Sequence, residues 1–83
     1  MSVNNVTVQI AGRELNLNST DSPEAVQRMA ALVDRKMREL MAGGIANRET
    51  AAMMAAMTYA SELIRAQDDN TRLRRKLDEA GRA

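Results

Sequence analysis

One segment, 47-NRETAAMMAAMTYASELIRAQDDNTRLRRKLDEA-80, continues without a glycine or a proline until Gly81. Asn47 is suited to cap the start of a helix, and Glu49 in the first turn favours the positive end of the helix dipole. A single helix of this length extends about 50 Å at 1.5 Å per residue. Because this is too long for a compact domain of the chain's size, the segment predicts a helix that leaves the body of the protein as a stalk.

The beginning of this predicted helix, residues 51–60, is apolar on nearly every side. A helix of that kind is buried on more than one face. We expect the N-terminal part of the same chain to cover one face and a partner chain to cover another.

After Glu62 the helix is polar except for one narrow line of residues whose spacing alternates between four and three. This line, called the heptad seam below, comprises Ala52, Ala56, Tyr59, Leu63, Ala66, Asn70, Leu73, Leu77 and Ala80. Such a repeat is the signal of a coiled coil. In this frame the a positions include Leu63, Asn70 and Leu77, and the d positions include Ala66, Leu73 and Ala80. The seam predicts oligomerisation through the long helix.

Two features of the seam favour a parallel, in-register pair. Asn70 is a single polar residue at an a position, where its amide can bond its counterpart and disfavour slipped registers. Asp69 at g and Arg74 at e of the partner are five positions apart, which is the spacing at which opposite charges meet in a parallel dimer.

The N-terminal residues predict a β-hairpin. Apolar residues alternate along both strands, and Ala11-Gly12-Arg13 supplies a tight turn between them. The alternating residues are Val6, Val8 and Ile10 on the first strand and Leu15 and Leu17 on the second. An isolated hairpin is barely stable in water, so this face must pack on another element.

Ser22-Pro23-Glu24 predicts the start of a first helix that runs to about Met41, and Gly43-Gly44 ends it. Its apolar positions repeat every three or four residues, as in a helix with one buried face: Val26, Ala30, Val33, Met37 and Leu40. On the other face, two acid–base pairs four residues apart suit helix ion pairs, Glu24 with Arg28 and Asp34 with Arg38. The predicted fold class is therefore α+β, with a head of hairpin and short helix (residues 1–47) and a long coiled-coil helix (residues 48–83).

Composition excludes several classes of function. The 83 residues carry a net charge of +1 and contain neither His nor Cys, so the usual bases and nucleophiles of enzymes are absent, and we expect no catalysis, cofactor or metal. The N-terminus does not resemble a secretory signal and no stretch is apolar enough to span a membrane, which predicts a cytoplasmic protein. A chain of this size buries only about 60% of its unfolded surface, so oligomerisation is a common way to stabilise it.

Other interpretations of particular motifs are weaker. Gly43-Gly44 lacks the Lys-Ser/Thr of a phosphate loop, and the acidic pairs at 68–69 and 78–79 lie on a solvated flank without a completed metal shell. The methionines at 53, 54 and 57 fit adaptable core packing better than a peptide-binding surface. The basic stretch 72–76 could enter a DNA groove, but acids bracket it and the heptad passes through it. A small dimeric nucleic-acid-binding protein and a generic coiled-coil adaptor remain alternatives.

Several motifs in order resemble the ZapA family of bacterial cell-division proteins. The stretch 6–15, VTVQIAGREL, is similar to that family's first hairpin, although Leu15 stands where an aromatic residue is common. Ser22-Pro23-Glu24 followed by 30-AALVDRKM-37 is similar to its first helix, and 51-AAMMAAMTYASEL-63 to the alanine-rich start of its long helix. The resemblance covers essentially the whole chain.

The resemblance implies a non-enzymatic protein that binds the tubulin-like division protein FtsZ. Dimers of head domains on helical stalks, able to pair into homotetramers, would cross-link FtsZ protofilaments at the division septum. The partner-binding residues it suggests are exposed arginines of the head, namely Arg13, Arg35, Arg38 and Arg48.

Overall fold

The computed structural model describes residues 2–81, which form a two-stranded hairpin followed by two helices. The strands are β1 (Asn4–Ile10) and β2 (Arg13–Ser19), and the helices are α1 (Pro23–Ala42) and α2 (Arg48–Gly81). The radius of gyration is 17.5 Å, compared with about 12 Å for a compact domain of this length. The molecule is elongated because α2 extends well past the other three elements.

The hairpin pairs β1 with β2 in antiparallel register, from Asn4 opposite Ser19 to Ile10 opposite Arg13. Ala11 and Gly12 alone form the turn, with φ of 50° and 80°. Two consecutive positive φ angles match the right-handed twist of the flanking strands, which is why this turn type closes tight hairpins. Arg13, which we predicted as part of the turn, is the first residue of β2.

The two faces of the hairpin have different environments. On the outer face, the Asn5 amide nitrogen donates to the side-chain oxygens of Asn16 and Asn18 at 2.7 and 2.8 Å, and Asn16 donates back to Asn5 and to Thr7. On the inner face Val6 and Val8 are buried against α1. The alternation of polar and apolar residues thus selects which face meets solvent.

The start of α1 follows the predicted pattern. The Ser22 hydroxyl accepts from the Ala25 N–H at 3.1 Å, and Pro23 occupies the first helical position. Val26, Ala30 and Met37 are buried on one face. The Asp34–Arg38 ion pair forms at 3.2 Å, whereas the predicted Glu24–Arg28 pair is not among the salt bridges of residues 2–81, where both residues are exposed.

Helix α1 covers the β1 side of the hairpin and leaves the β2 side open. Val6, Val8, Val26 and Ala30 form one core cluster between them. The inward-facing leucines of β2, Leu15 and Leu17, remain exposed. The head of a single chain therefore has an incompletely covered apolar face.

The first turns of α2 belong to the core of the head. Asn47 caps the helix by accepting from the Thr50 N–H at 3.0 Å. Ala51 and Ala55 are 0% and 1% exposed and pack with Met37 of α1. From Ala60 to Gly81 every residue of α2 is exposed, so no part of the chain's described residues packs on the stalk.

The predicted α+β fold, with its N-terminal hairpin, short helix and long C-terminal helix, is confirmed. The division into residues 1–47 and 48–83 remains a prediction. Across residues 2–81, no helix combines the length and the apolar character that crossing a membrane requires.

We predict that Gly12→Ala lowers the free energy of unfolding by about 1 kcal/mol, because an L-residue is disfavoured at this positive φ. Steric clash is not the cause, since an added Cβ would meet only the Arg48 side chain, at 3.9 Å. Gly81→Ala, where the added Cβ meets nothing within 4 Å, is the control and should cost nothing. Urea unfolding at one fixed protein concentration measures both, and an equal effect of the two variants would contradict the assignment of strain to the turn.

Candidate functional site

The hairpin turn is held by side chains from both helices. The backbone N–H of Ala11 donates to Asp34 Oδ1 of α1 at 2.7 Å, and the carbonyl of Ala11 accepts from Arg48 Nε of α2 at 3.1 Å. Asp34 also pairs with Arg38 through Oδ2 at 3.2 Å. Hydrogen bonds to charged groups are stronger than those between neutral groups. This arrangement, called the turn clamp below, fixes the hairpin relative to α1 and α2.

Three of the four predicted partner-binding arginines lie in the turn clamp or next to it. Arg13 directly follows the turn, while Arg38 and Arg48 are members of the clamp. Arg38 nevertheless keeps 71% of its side chain exposed. Arg35 lies on α1 and is exposed, and it makes no salt bridge within residues 2–81. The four residues thus differ in how much of each guanidinium the fold already uses.

An open groove lies next to the clamp, between β2, α1 and α2. Its volume is about 710 Å³, and its lining combines apolar side chains, called the floor below, with charged side chains from the hairpin and α2, called the rim. The floor consists of Ile10, Leu15, Val33, Met37 and Ala52, and the rim includes Arg13, Arg48 and Glu49. Two predicted partner-binding arginines and one residue of the heptad seam therefore meet at this head groove.

The heptad seam is exposed along most of its length. The head buries Ala51 and Ala55, which are the residues next to Ala52 and Ala56 of the seam, and so leaves the seam itself free. Within the stalk the seam residues Leu63, Ala66, Asn70, Leu73 and Leu77 are all exposed. Leu77 is 71% exposed, and covering a side chain of this size by a partner would gain the free energy of apolar burial.

Tyr59 differs from the exposed residues of the seam, because its side chain contacts the head of its own protomer. Its hydroxyl donates to the carbonyl oxygen of Leu32 in α1 at 2.7 Å, and the residue is half-buried. Tyr59 is therefore a residue of the seam whose hydroxyl is bonded to α1 of the head.

A second apolar line on α2 did not enter the prediction of the oligomerisation surface. It is called the methionine stripe below, it is exposed, and it comprises Met53, Met57, Ala60 and Ile64. Its spacing of four, three and four would have revealed it in the sequence. The heptad pattern indicates only one face of α2, and the core packing predicted for the methionines at 53, 54 and 57 does not occur within the described residues of one chain, where all three are exposed.

The acidic side chains of the described residues are dispersed. Nowhere in residues 2–81 do three or more Asp or Glu side chains lie close enough to hold a metal ion. The candidate sites of interaction within the described residues are surfaces: the arginines around the turn clamp, the head groove, the heptad seam and the methionine stripe.

Comparisons with known proteins agree with this arrangement. The family model described as "Cell division protein ZapA" matches residues 6–82. The chain belongs to the ZapA family. A solved structure, the ZapA mutant dimer from Geobacillus stearothermophilus, is similar with a TM-score of 0.77 and 28% sequence identity, over 94% of this chain and 92% of that one. The search of curated proteins finds no match. As a member of this family, the chain is a cell-division protein.

We predict that Asp34→Ala lowers the free energy of unfolding by about 2 kcal/mol, because the Ala11 N–H loses a charged acceptor in a partly buried position. Asp34→Asn keeps an acceptor oxygen and should lose less. Glu39→Ala is the control, since Glu39 is exposed and pairs only with Lys36, at 3.2 Å, and should cost about 0.5 kcal/mol or less. Urea unfolding that ranks Glu39→Ala equal to Asp34→Ala would show that the turn clamp does not stabilise the head.

Proposed function

We propose that this protein is a non-enzymatic accessory factor of cell division that self-associates through α2 and binds FtsZ through its heads. The main observation in support of the proposal is the orientation of α2 about its own axis. The same helix buries Ala51 and Ala55 in its own head and leaves the adjacent heptad seam exposed. Membership of the ZapA family supports the role in division.

The first step of the proposal is a homodimer. Residues 60–81 are exposed on every side, and a helix that lacks tertiary contacts is marginal in water. Pairing along the heptad seam would bury the leucines at 63, 73 and 77 and place two Asn70 amides together. The similar ZapA mutant from Geobacillus stearothermophilus is described as a dimer, which supports pairing of this chain as well.

The second step is recognition of FtsZ by the arginines of the head. The resemblance to the family implies an acidic filament as the partner, and guanidinium groups bind carboxylates through paired hydrogen bonds. Arg13 and Arg35 are the best candidates, because the turn clamp engages Arg38 and Arg48. The latter two still present the rest of their guanidinium groups to a partner.

The third step is cross-linking of protofilaments. Two heads on one rigid stalk hold their weak FtsZ contacts at a fixed spacing, so that the second contact forms at a high effective concentration. A homotetramer of paired dimers would present more heads and bundle filaments more strongly. This activity predicts a location at the division septum.

We predict that Leu77→Glu shifts the protein toward monomer, because two carboxylates would face each other in the heptad seam. Leu73→Glu should act in the same way. Arg75→Glu, which also introduces an acid but lies away from the seam, is the control. Analytical ultracentrifugation measures the mass, and an unchanged dimer in both leucine variants would refute the heptad frame.

We predict that the double variant Arg13→Glu/Arg35→Glu loses co-sedimentation with FtsZ filaments, because both substitutions repel an acidic partner. The matched control is Arg72→Glu/Arg75→Glu, which changes the charge by the same amount on the exposed stalk. Circular dichroism and dimer mass must equal those of the wild type. Full co-sedimentation of the head variant would exclude this surface, and failure of the wild type to co-sediment would refute FtsZ binding itself.

A further inference from the structure

The head groove has an apolar floor and the methionine stripe is apolar; both are open in a single chain, and both lie on elements that adjoin the heptad seam. We propose that the head groove of each protomer receives the methionine stripe of its partner, so that each head packs on both helices of the dimer. This inference rests on the parallel, in-register pairing put forward above.

The position of the head relative to the seam follows from the heptad frame. Extending the frame toward the start of α2 places Ala52 at d and Ala56 at a, so that the buried Ala51 and Ala55 take positions c and g. The head therefore packs on the c and g side of its own helix. Arg48, also at g, lies on the rim of the head groove, and Ala52 lies on its floor. The groove thus opens toward the side on which the partner helix lies.

The methionine stripe occupies the opposite flank of the helix. Met53 and Ala60 take e positions, and Met57 and Ile64 take b positions. In a parallel coiled coil, a g residue of one helix faces the e residue five positions later on the other. Arg48 of one protomer therefore faces Met53 of its partner. The flank that carries the stripe is the flank that the partner's head approaches.

The two surfaces also match in chemical character. Met53 is 59% and Met57 is 72% exposed, and both are flexible side chains that adapt to irregular apolar surfaces. The groove offers Leu15 from β2, which α1 leaves uncovered, together with the half-buried Ile10 and Val33. A two-fold dimer would make the contact twice, because each protomer contributes one groove and one stripe.

An acidic segment of another protein is the other conceivable occupant, since Arg13 and Arg48 lie on the rim. Glu49 on the same rim opposes it. Continuity with the heptad seam through Ala52 favours the second copy of this chain. Only a second copy of this chain would place its Met53 beside Leu15.

Thiol cross-linking tests the contact, because the chain contains no cysteine of its own. A size-tagged chain with Leu15→Cys is mixed and equilibrated with a chain carrying Met53→Cys, then treated with a short bis-maleimide. We expect a heterodimer product several-fold more abundant than with Met54→Cys, which lies at the solvent-facing f position. In parallel, Asn70→Cys should form a disulfide between its two copies, which reports the seam pairing alone.

The outcomes separate the two proposals. If Asn70→Cys cross-links but Leu15 reaches Met53 no better than Met54, the dimer stands and the groove contact is wrong. If Asn70→Cys does not cross-link, the parallel pairing fails and the groove contact fails with it. As a second measurement, Met53→Glu should raise the dimer dissociation constant severalfold while Met54→Glu leaves it unchanged, because only the former puts a charge into the head groove. Equal constants for the two variants would also overturn the contact.

Discussion

The close packing of Ala51 and Ala55 on Met37 determines the rotation of α2 about its own axis. Both alanines are fully buried, and their small side chains let α1 approach α2 closely. Each contact, however, buries only a small apolar area. Once this face is fixed, the 3.6-residue period of the helix fixes every other face. The heptad seam then lies beside the head, and the methionine stripe lies on the far flank. A larger residue at either position would move α1 away and change which face of the stalk a partner can reach.

The same residues that hold the head together also define its charged surface. The turn clamp uses one side-chain atom of Asp34 and one of Arg48 to fix the backbone of Ala11. Because the turn is fixed, Arg13 projects from a defined point beside the groove. Rigid placement lowers the entropy lost when a side chain is ordered on binding. Charge reversal at Arg48 would therefore disturb the fold as well as the proposed recognition of a partner, whereas Arg35, which lies outside the turn clamp, would report on recognition alone.

The sequence was sufficient to predict the elements and their order, because the signals for them are local. Alternation gave the hairpin, Ser22-Pro23 gave the start of α1, and the absence of Gly and Pro gave the length of α2. The turn clamp could not be predicted, since it joins Ala11 to Asp34 and Arg48 across long sequence separations. Nor could the second use of Tyr59, whose hydroxyl reaches α1 only in the folded head. The head groove likewise depends on α1 covering β1 and leaving β2 open.

The distribution of apolar residues indicates that self-association would stabilise the folded chain. The described core consists of three valines, three alanines and one methionine, whereas twelve large apolar side chains between Val3 and Leu77 are exposed. Burial of apolar surface is the main favourable term in folding. In one chain, most of the large apolar side chains lie outside the core and do not contribute to this term. The exposed ones are concentrated on α2 and on the β2 side of the head, where a second copy can cover them. A partner that binds only the folded state stabilises it by mass action. The stability of the head should therefore depend on protein concentration, even though the head lies at the opposite end of the molecule from the strongest part of the heptad repeat.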